Sequence, residues 1–282
     1  MSAASQCRYG GLGWTVVAAL CALVLAALWV APLLWALSTA LRPEHETISP
    51  VFHFLPRDWT VAAFAKVLGA GNVPRWLFNS ALVAFLVTVV TMAVSLMAAY
   101  AFSQMRFRGR NLLFMLAMLA FLLPFEALLV PLFRMMNQLG MINSYAGIVL
   151  PQVVSPVVIY VFRQFFDAIP QDFREAAVLD GASPLRVLWS VYLPMSGNIV
   201  WAMAIVTFIG AWNNFLWPFI IVTSSDMMTI PLGLTQTYDA FGVRYAQLMA
   251  AALLGAFPVA LAYLVFQRRV THGFLAATGL KG

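Results

Sequence analysis

The sequence predicts an all-α membrane protein with six transmembrane helices and both termini on the cytoplasmic side. Three observations carry that expectation. Hydrophobic residues make up 63% of the 282 residues and charged ones only 9%, whereas a soluble domain carries about 25% charged residues. Apolar runs long enough to cross the hydrocarbon layer, about 20 residues each, recur along the chain. Lys and Arg gather on alternate sides of those runs, and this orients them.

Each element follows in order. Residues 1–13 read as a cytoplasmic N-terminal tail. The first span, 14–37, begins "WTVVAALCALVLAALWVAPLLWAL" and holds no charge; it is longer than the roughly 7–15-residue apolar region of a cleaved signal peptide. A long outer loop from Arg42 to Trp76 leads to the second span, 77–102. The third, 112–133, contains Glu126. After the polar turn "RMMNQLGMINS" comes the fourth, 145–166, then a charged loop, 167–197. The fifth span covers 198–222 and the sixth 247–267, together closing a six-helix transmembrane domain of 14–267 before a cytoplasmic tail, 268–282. A lipid-spanning β-barrel would instead show short alternating segments.

With the N-terminus inside, ten Lys and Arg fall on the cytoplasmic side and six outside. The formal charge of +6 is then accounted for by topology and anionic lipid, without nucleic acid as a partner. Arg268 and Arg269 anchor the last span at the inner leaflet. Cys7 and Cys21 suggest no disulfide framework. His45, His53 and His272 are scattered, so no metal site is expected. The chain contains no Gly-rich phosphate loop, nucleophile elbow or catalytic dyad, so it is expected not to be an enzyme.

The loop contains "EAAVLDGASPLRVLWSVYLP" (175–194), a charged, tightly punctuated stretch in an apolar chain. Pro170, Gln171 and Asp172 look like a helix start, because Pro suits the first helical position and an acid suits the positive end of the dipole. Phe173, Ala176, Ala177 and Asp180 recur at helical spacing beside Glu175. Gly181 suits a left-handed helix end. Ser183-Pro184 reads as a cap and a new first turn, and Leu185, Leu188 and Tyr192 carry an apolar face to Leu193-Pro194. Two short helices with a sharp bend are expected, a shape suited to docking on a partner.

The same residues resemble the EAA signature of binding-protein-dependent ABC importer permeases, matched by Glu175, Ala176, Ala177, Gly181, Val191, Leu193 and Pro194. Val191 stands where that family more often has Ile. "RFRGRNLLF" (106–114), "SYAGIVLPQ" (144–152), "FRQFFDAIPQDFREAAVLDGAS" (162–183), "WNNFLWPF" (212–219) and the terminal "GLKG" extend the likeness to carbohydrate permeases of the maltose and glycerol-phosphate type, specifically their second permease. The resemblance implies a bacterial inner-membrane subunit that pairs with a second permease as a heterodimer. An ABC ATPase dimer would lie on one side, supplying ATP and Mg, with no cofactor in this chain, and an extracytoplasmic substrate-binding protein on the other. It also implies a coupling role for Glu175, Ala176, Ala177, Asp180, Gly181 and Pro194, and a tail contact with the ATPase through Gly279, Lys281 and Gly282.

Within the spans, Glu126 is the sole acid, and a charge at the bilayer centre is costly, about 2.5–3.5 kcal/mol on insertion scales. It is a candidate for the substrate path or for packing. Trp212, Asn213 and Asn214 form a second candidate, since aromatic faces and amides suit sugars; helix-to-helix hydrogen bonding is the competing role. Alternatives from other classes are a secondary transporter, which would carry inverted repeats and paired midplane charges, and an intramembrane enzyme, which would need a clustered catalytic set.

Overall fold

The computed structural model describes residues 12–49, 53–69, 72–236, 238–239 and 242–277. In chain order its helices are α1 (Leu12–Ala40), α2 (Glu44–Thr47), α3 (Ala62–Gly69), α4 (Val73–Gln104), α5 (Arg110–Ala120), α6 (Phe125–Gln138) and α7 (Tyr145–Val149). There follow α8 (Pro156–Asp167), α9 (Gln171–Leu179), α10 (Pro184–Val187), α11 (Leu193–Met195), α12 (Gly197–Trp212), α13 (Leu216–Ile221), α14 (Ile230–Gly233) and α15 (Tyr245–Ala277). A small antiparallel ribbon pairs β1 (Tyr238–Asp239) with β2 (Gly242–Val243), an element the hydrophobic pattern does not announce.

Three stretches, Gly13–Ala40, Val73–Gln104 and Tyr245–Val265, are single helices long and apolar enough to cross a membrane. The other three expected spans are broken. Residues 112–133 split into α5 and α6, bent by 100°, because Pro124 disfavours helical backbone at the residue before it and itself sits extended as the cap of α6. Residues 145–166 bend by 49° ahead of Pro156, where the Ser155 side chain accepts from the Val158 N–H at 3.4 Å and starts α8 afresh. Residues 198–222 are interrupted at 213–215, between α12 and α13. The sixth helix runs past its expected end at 267 to Ala277, so the first part of the expected tail is helical. Gly279, Lys281 and Gly282 lie outside the described residues.

By internal packing the chain divides into Met1–Gly71 with Thr237–Leu253, and Asn72–Gln236 with Leu254–Gly282. In the first unit, α1 exposes apolar side chains over most of its length and becomes buried at 38–40. The chain beyond it is stapled by Arg42, which donates to the Ser38, His53 and Phe54 carbonyls.

In the second unit α4 is the central post. Its buried residues, among them Trp76, Asn79, Val83, Val87, Thr91, Ser95, Ala99 and Tyr100, recur every three or four positions, which makes one continuous stripe on a helix of 3.6 residues per turn. Small side chains at Ala84, Ser95 and Ala99 admit close neighbours. The lower half of the stripe packs with α8, α10 and α12 in a cluster that fully buries Phe162, Phe166 and Tyr192. Tyr192 meets the Tyr100 and Phe166 rings edge-on at 5.3 and 5.2 Å, the arrangement aromatic quadrupoles favour. At the other end the Asn79 amide donates to the Asp226 and Met228 carbonyls at 2.8 Å, and the Trp76 indole to Ser225, which ties the 225–230 segment to α4.

Candidate functional site

The 167–197 segment forms a projecting tip built on that aromatic cluster. Pro170, in extended backbone, is the cap residue of α9 rather than its first helical residue, one position from the expectation. Asp172 occupies the first turn as expected.

The end of α9 explains the spacing of the motif. Gly181 adopts φ +78°, a conformation that costs other L-residues about 1–2 kcal/mol. Its N–H donates to the Val178 carbonyl and that of Ala182 to Ala177, each at 3.0 Å. These two bonds form a Schellman motif, and they require a glycine four residues after Ala177. Ala177 and Ala182 meet the aromatic cluster and fix the bend to it.

Ser183 then accepts from the Arg186 N–H at 3.4 Å and Pro184 opens α10. Val187, Leu188 and Tyr192 are buried, whereas Leu185 stays 59% exposed. The expected face through Leu185 is therefore divided, with Leu188 and Tyr192 facing inward and Leu185 outward. Between α10 and α11 the chain makes a π turn over Leu188–Tyr192. Pro194, which cannot donate to an α-helical ladder, lies two residues beyond it in the first turn of α11. At Ser196–Gly197 the chain turns by 86° into α12.

The outward face of the tip combines Phe173, Val178, Leu179 and Leu185 with the carboxylates of Glu175 and Asp180; Leu179 is 87% exposed. Among the described residues the Glu175 side chain forms no hydrogen bond or ion pair. An exposed apolar knob rimmed by free carboxylates can seat in a groove with a cationic edge.

The second group of candidates lies at the helix breaks. Glu126 is in the first turn of α6, directly after the 100° bend and exposed on this chain; it is at an interruption rather than in mid-helix. Asn213 caps the end of α12 and donates to the Ile209 carbonyl at 3.0 Å, while the Asn214 amide donates to Gln152 Oε1 at 2.5 Å. Trp212 is buried and donates to the Gly255 carbonyl at 3.1 Å. In this chain, then, Trp212 and Asn214 join helices. Trp217, which the sequence reading did not select, is wholly buried, donates to the Gly147 carbonyl at 3.0 Å and meets Phe125 edge-on at 6.3 Å. That contact brings the break at Glu126 beside the break at Asn213–Asn214. A separate cavity of ≈ 600 Å³, lined by residues that include Phe85, Met92, Trp189, Trp201 and Phe208, is apolar; its Thr88 hydroxyl already donates to Ala84, so it offers a hydroxylated solute few partners.

In the first unit, His45, Glu46 and Asp58 bring ligand atoms within 4.8 Å of one another, a grouping that their separation in sequence conceals. The Glu46 carboxylate is already engaged by the Asp58 and Arg57 N–H groups at 3.0 and 3.3 Å. Desolvation is the largest single influence and pushes its pKa up, but those two bonds and the Arg42 and His45 charges together outweigh it and hold the carboxyl below its ordinary value.

Residues 92–272 match the family described as binding-protein-dependent transport system inner membrane component. The chain is 33% identical over 256 residues to the arabinooligosaccharides transport system permease protein of Halalkalibacterium halodurans, covering 90% of this chain and 91% of that one. It is 37% identical over 226 residues to the sn-glycerol-3-phosphate transport system permease protein of Yersinia enterocolitica, covering 78% and 80%. Its fold matches the crystal structure of a bacterial ABC transporter involved in the import of the acidic polysaccharide alginate, with a TM-score of 0.83 at 21% identity over 93% of this chain and 99% of the other.

Proposed function

The chain belongs to the family of binding-protein-dependent transport system inner membrane components, and from that premise we propose that it is a permease subunit of an ATP-driven importer for a sugar or sugar-like solute. The observation that carries the reading is the tip: a glycine-closed bend that presents Glu175, Asp180 and an exposed apolar knob on a buried aromatic base. Such a tip can receive a rigid push and pass it to α8 and α12, which share that base.

In this reading the segment 167–197 faces the cytoplasm and docks on an ABC ATPase dimer that binds ATP and Mg. Glu175, Ala176, Ala177, Asp180, Gly181 and Pro194 serve coupling, and a second permease completes the pore. The broken helix pairs each count as one crossing, which with α1, α4 and α15 makes six, and both termini are inside. An extracytoplasmic binding protein delivers the solute. The names of the relatives support an oligosaccharide or a glycerol phosphate as solute class. The breaks at Glu126 and Asn213, with their exposed polar groups, line the path. The tail through Gly279, Lys281 and Gly282 reaches the ATPase; deleting Ala277–Gly282 should lower uptake without preventing assembly.

The deciding experiment is reconstitution with the cognate ATPase, second permease and binding protein in proteoliposomes, followed by uptake of labelled arabino-oligosaccharides and sn-glycerol 3-phosphate. Uptake that requires ATP and the binding protein is expected. Uptake driven by an ion gradient without ATP would favour a secondary transporter and defeat the proposal.

A further inference from the structure

Arg42 follows the C-terminal end of α1 and keeps only 6% of its surface exposed, which is uncommon for a charged residue. Its Nε donates to the Ser38 carbonyl at 3.2 Å, and its Nη2 to Ser38 Oγ at 2.7 Å and to the His53 and Phe54 carbonyls at 3.2 Å. The guanidinium carbon lies 5.4 Å from the centre of the Trp35 ring. A guanidinium has further donors on Nη1, and among the described residues these have no acceptor.

A cavity of ≈ 240 Å³ adjoins this group, lined by Trp35, Thr39, Arg42, Thr47, Tyr245 and Met249. The Thr39 and Thr47 hydroxyls already donate to the Trp35 and Glu44 carbonyls. The donors left for an occupant are therefore Arg42 Nη1 and the Tyr245 hydroxyl, one of them cationic. That set suits an anionic oxygen.

The surroundings indicate where such a group comes from. Along α1 the apolar side chains stay exposed through Leu34 and again at Leu37, with Trp35 and Ala36 half-buried, and full burial sets in at Ser38, which is 5% exposed. The cavity thus opens where an apolar helix ends, flanked by a Trp and a Tyr, the residues that mark the boundary between hydrocarbon and water. In a bilayer, lipid phosphates would lie at that depth, with acyl chains beside Leu33, Leu34 and Leu37. Glu46 is near enough to interact with the Arg42 charge, which offsets part of its positive charge and favours a singly charged phosphodiester over a dianion.

We propose that this cavity binds the phosphate of a phospholipid headgroup, with Arg42 and Tyr245 as its donors. The test is native mass spectrometry of the full-length chain in its detergent-purified transporter complex, titrated with dioleoyl phosphatidylglycerol. Arg42→Gln should weaken retention of one lipid by about tenfold, as loss of a charge-assisted bond does, and Tyr245→Phe by about threefold, as loss of a neutral one does. Because Arg42 also staples the 53–54 segment, Tyr245→Phe, which leaves the Arg42 bonds intact, is the decisive variant. Equal retention by Tyr245→Phe and the unaltered protein, or equal retention of dioleoylglycerol, which lacks phosphate, overturns the proposal. Displacement of the lipid by excess inorganic phosphate overturns the lipid source in favour of a soluble phosphate.

Discussion

Replacing Gly181 by Val tests the coupling role of the tip most directly. A Cβ at this position meets nothing within 4 Å, so the substitution causes no clash and its whole cost lies in the backbone. Holding φ at +78° costs an L-residue about 1–2 kcal/mol, and a β-branched one lies at the upper end. Releasing the strain would break the two Schellman bonds, worth about 0.5–1.5 kcal/mol each. The two costs are similar, so the substituted tip should divide between a closed and an opened bend. A shift of about 1–2 kcal/mol changes such a population by roughly 5–30-fold. Transport in proteoliposomes should fall several-fold relative to ATP hydrolysed, while the aromatic base and membrane insertion persist. Gly181→Asn, which tolerates the left-handed region, should retain most activity. Wild-type uptake and binding-protein-stimulated ATPase activity in Gly181→Val would refute the reasoning.

Three further outcomes are expected. A Cβ on Gly147 would lie 2.0 Å from the Met141 carbonyl oxygen, so Gly147→Ala should destabilise the 141–152 segment by about 1–3 kcal/mol, seen as a lower melting temperature in detergent; an unchanged melt would contradict the packing. A cysteine probe at Asp58, in a background lacking Cys7 and Cys21, should react with an impermeant reagent in intact cells; reaction only after permeabilisation would reverse the proposed orientation. Because the Glu46 carboxyl is held below 4.5, its contribution is complete above that pH and is lost as pH falls through the folded-state value. The difference in melting temperature between the unaltered protein and Glu46→Gln should be steady from about pH 7 to 5 and shrink below; a steady difference down to pH 3 would contradict the sign.

Local chemistry was readable in the sequence wherever one residue type has one backbone use. Gly181 ends a helix in the left-handed region, and Ser183 caps the next, both as their types require. Pro124 and Pro156 stand inside the expected spans 112–133 and 145–166, yet the 100° and 49° bends depend on what packs on each side, and hydropathy cannot report this because both arms are apolar. Burial failed for a related reason. Leu185 and Leu188 are the same residue type three positions apart, and only the aromatic base beneath the tip decides that one is 59% exposed and the other 1%. Trp212 suited a sugar platform by composition, but its indole, like that of Trp217, is held by a backbone carbonyl of a distant helix. The cavity at Arg42 joins residues 35–47 to 245–249, a contact no local pattern encodes.

The π turn at Leu188–Tyr192 makes chain length a determinant of aim. A helix rotates by about 100° per residue, and a π turn accommodates one residue more than the α-helical ladder would. Removing one residue between 188 and 192 would let an ordinary helix run on, and the bend carrying Phe173, Glu175 and Leu179 would swing about a quarter turn around the axis. Every side chain of the knob could survive unchanged and still present itself to empty water. Between Val187 and Pro194, then, this protein should accept replacements of similar volume far more readily than a single deletion, and a library of one-residue deletions would map the direction of the tip.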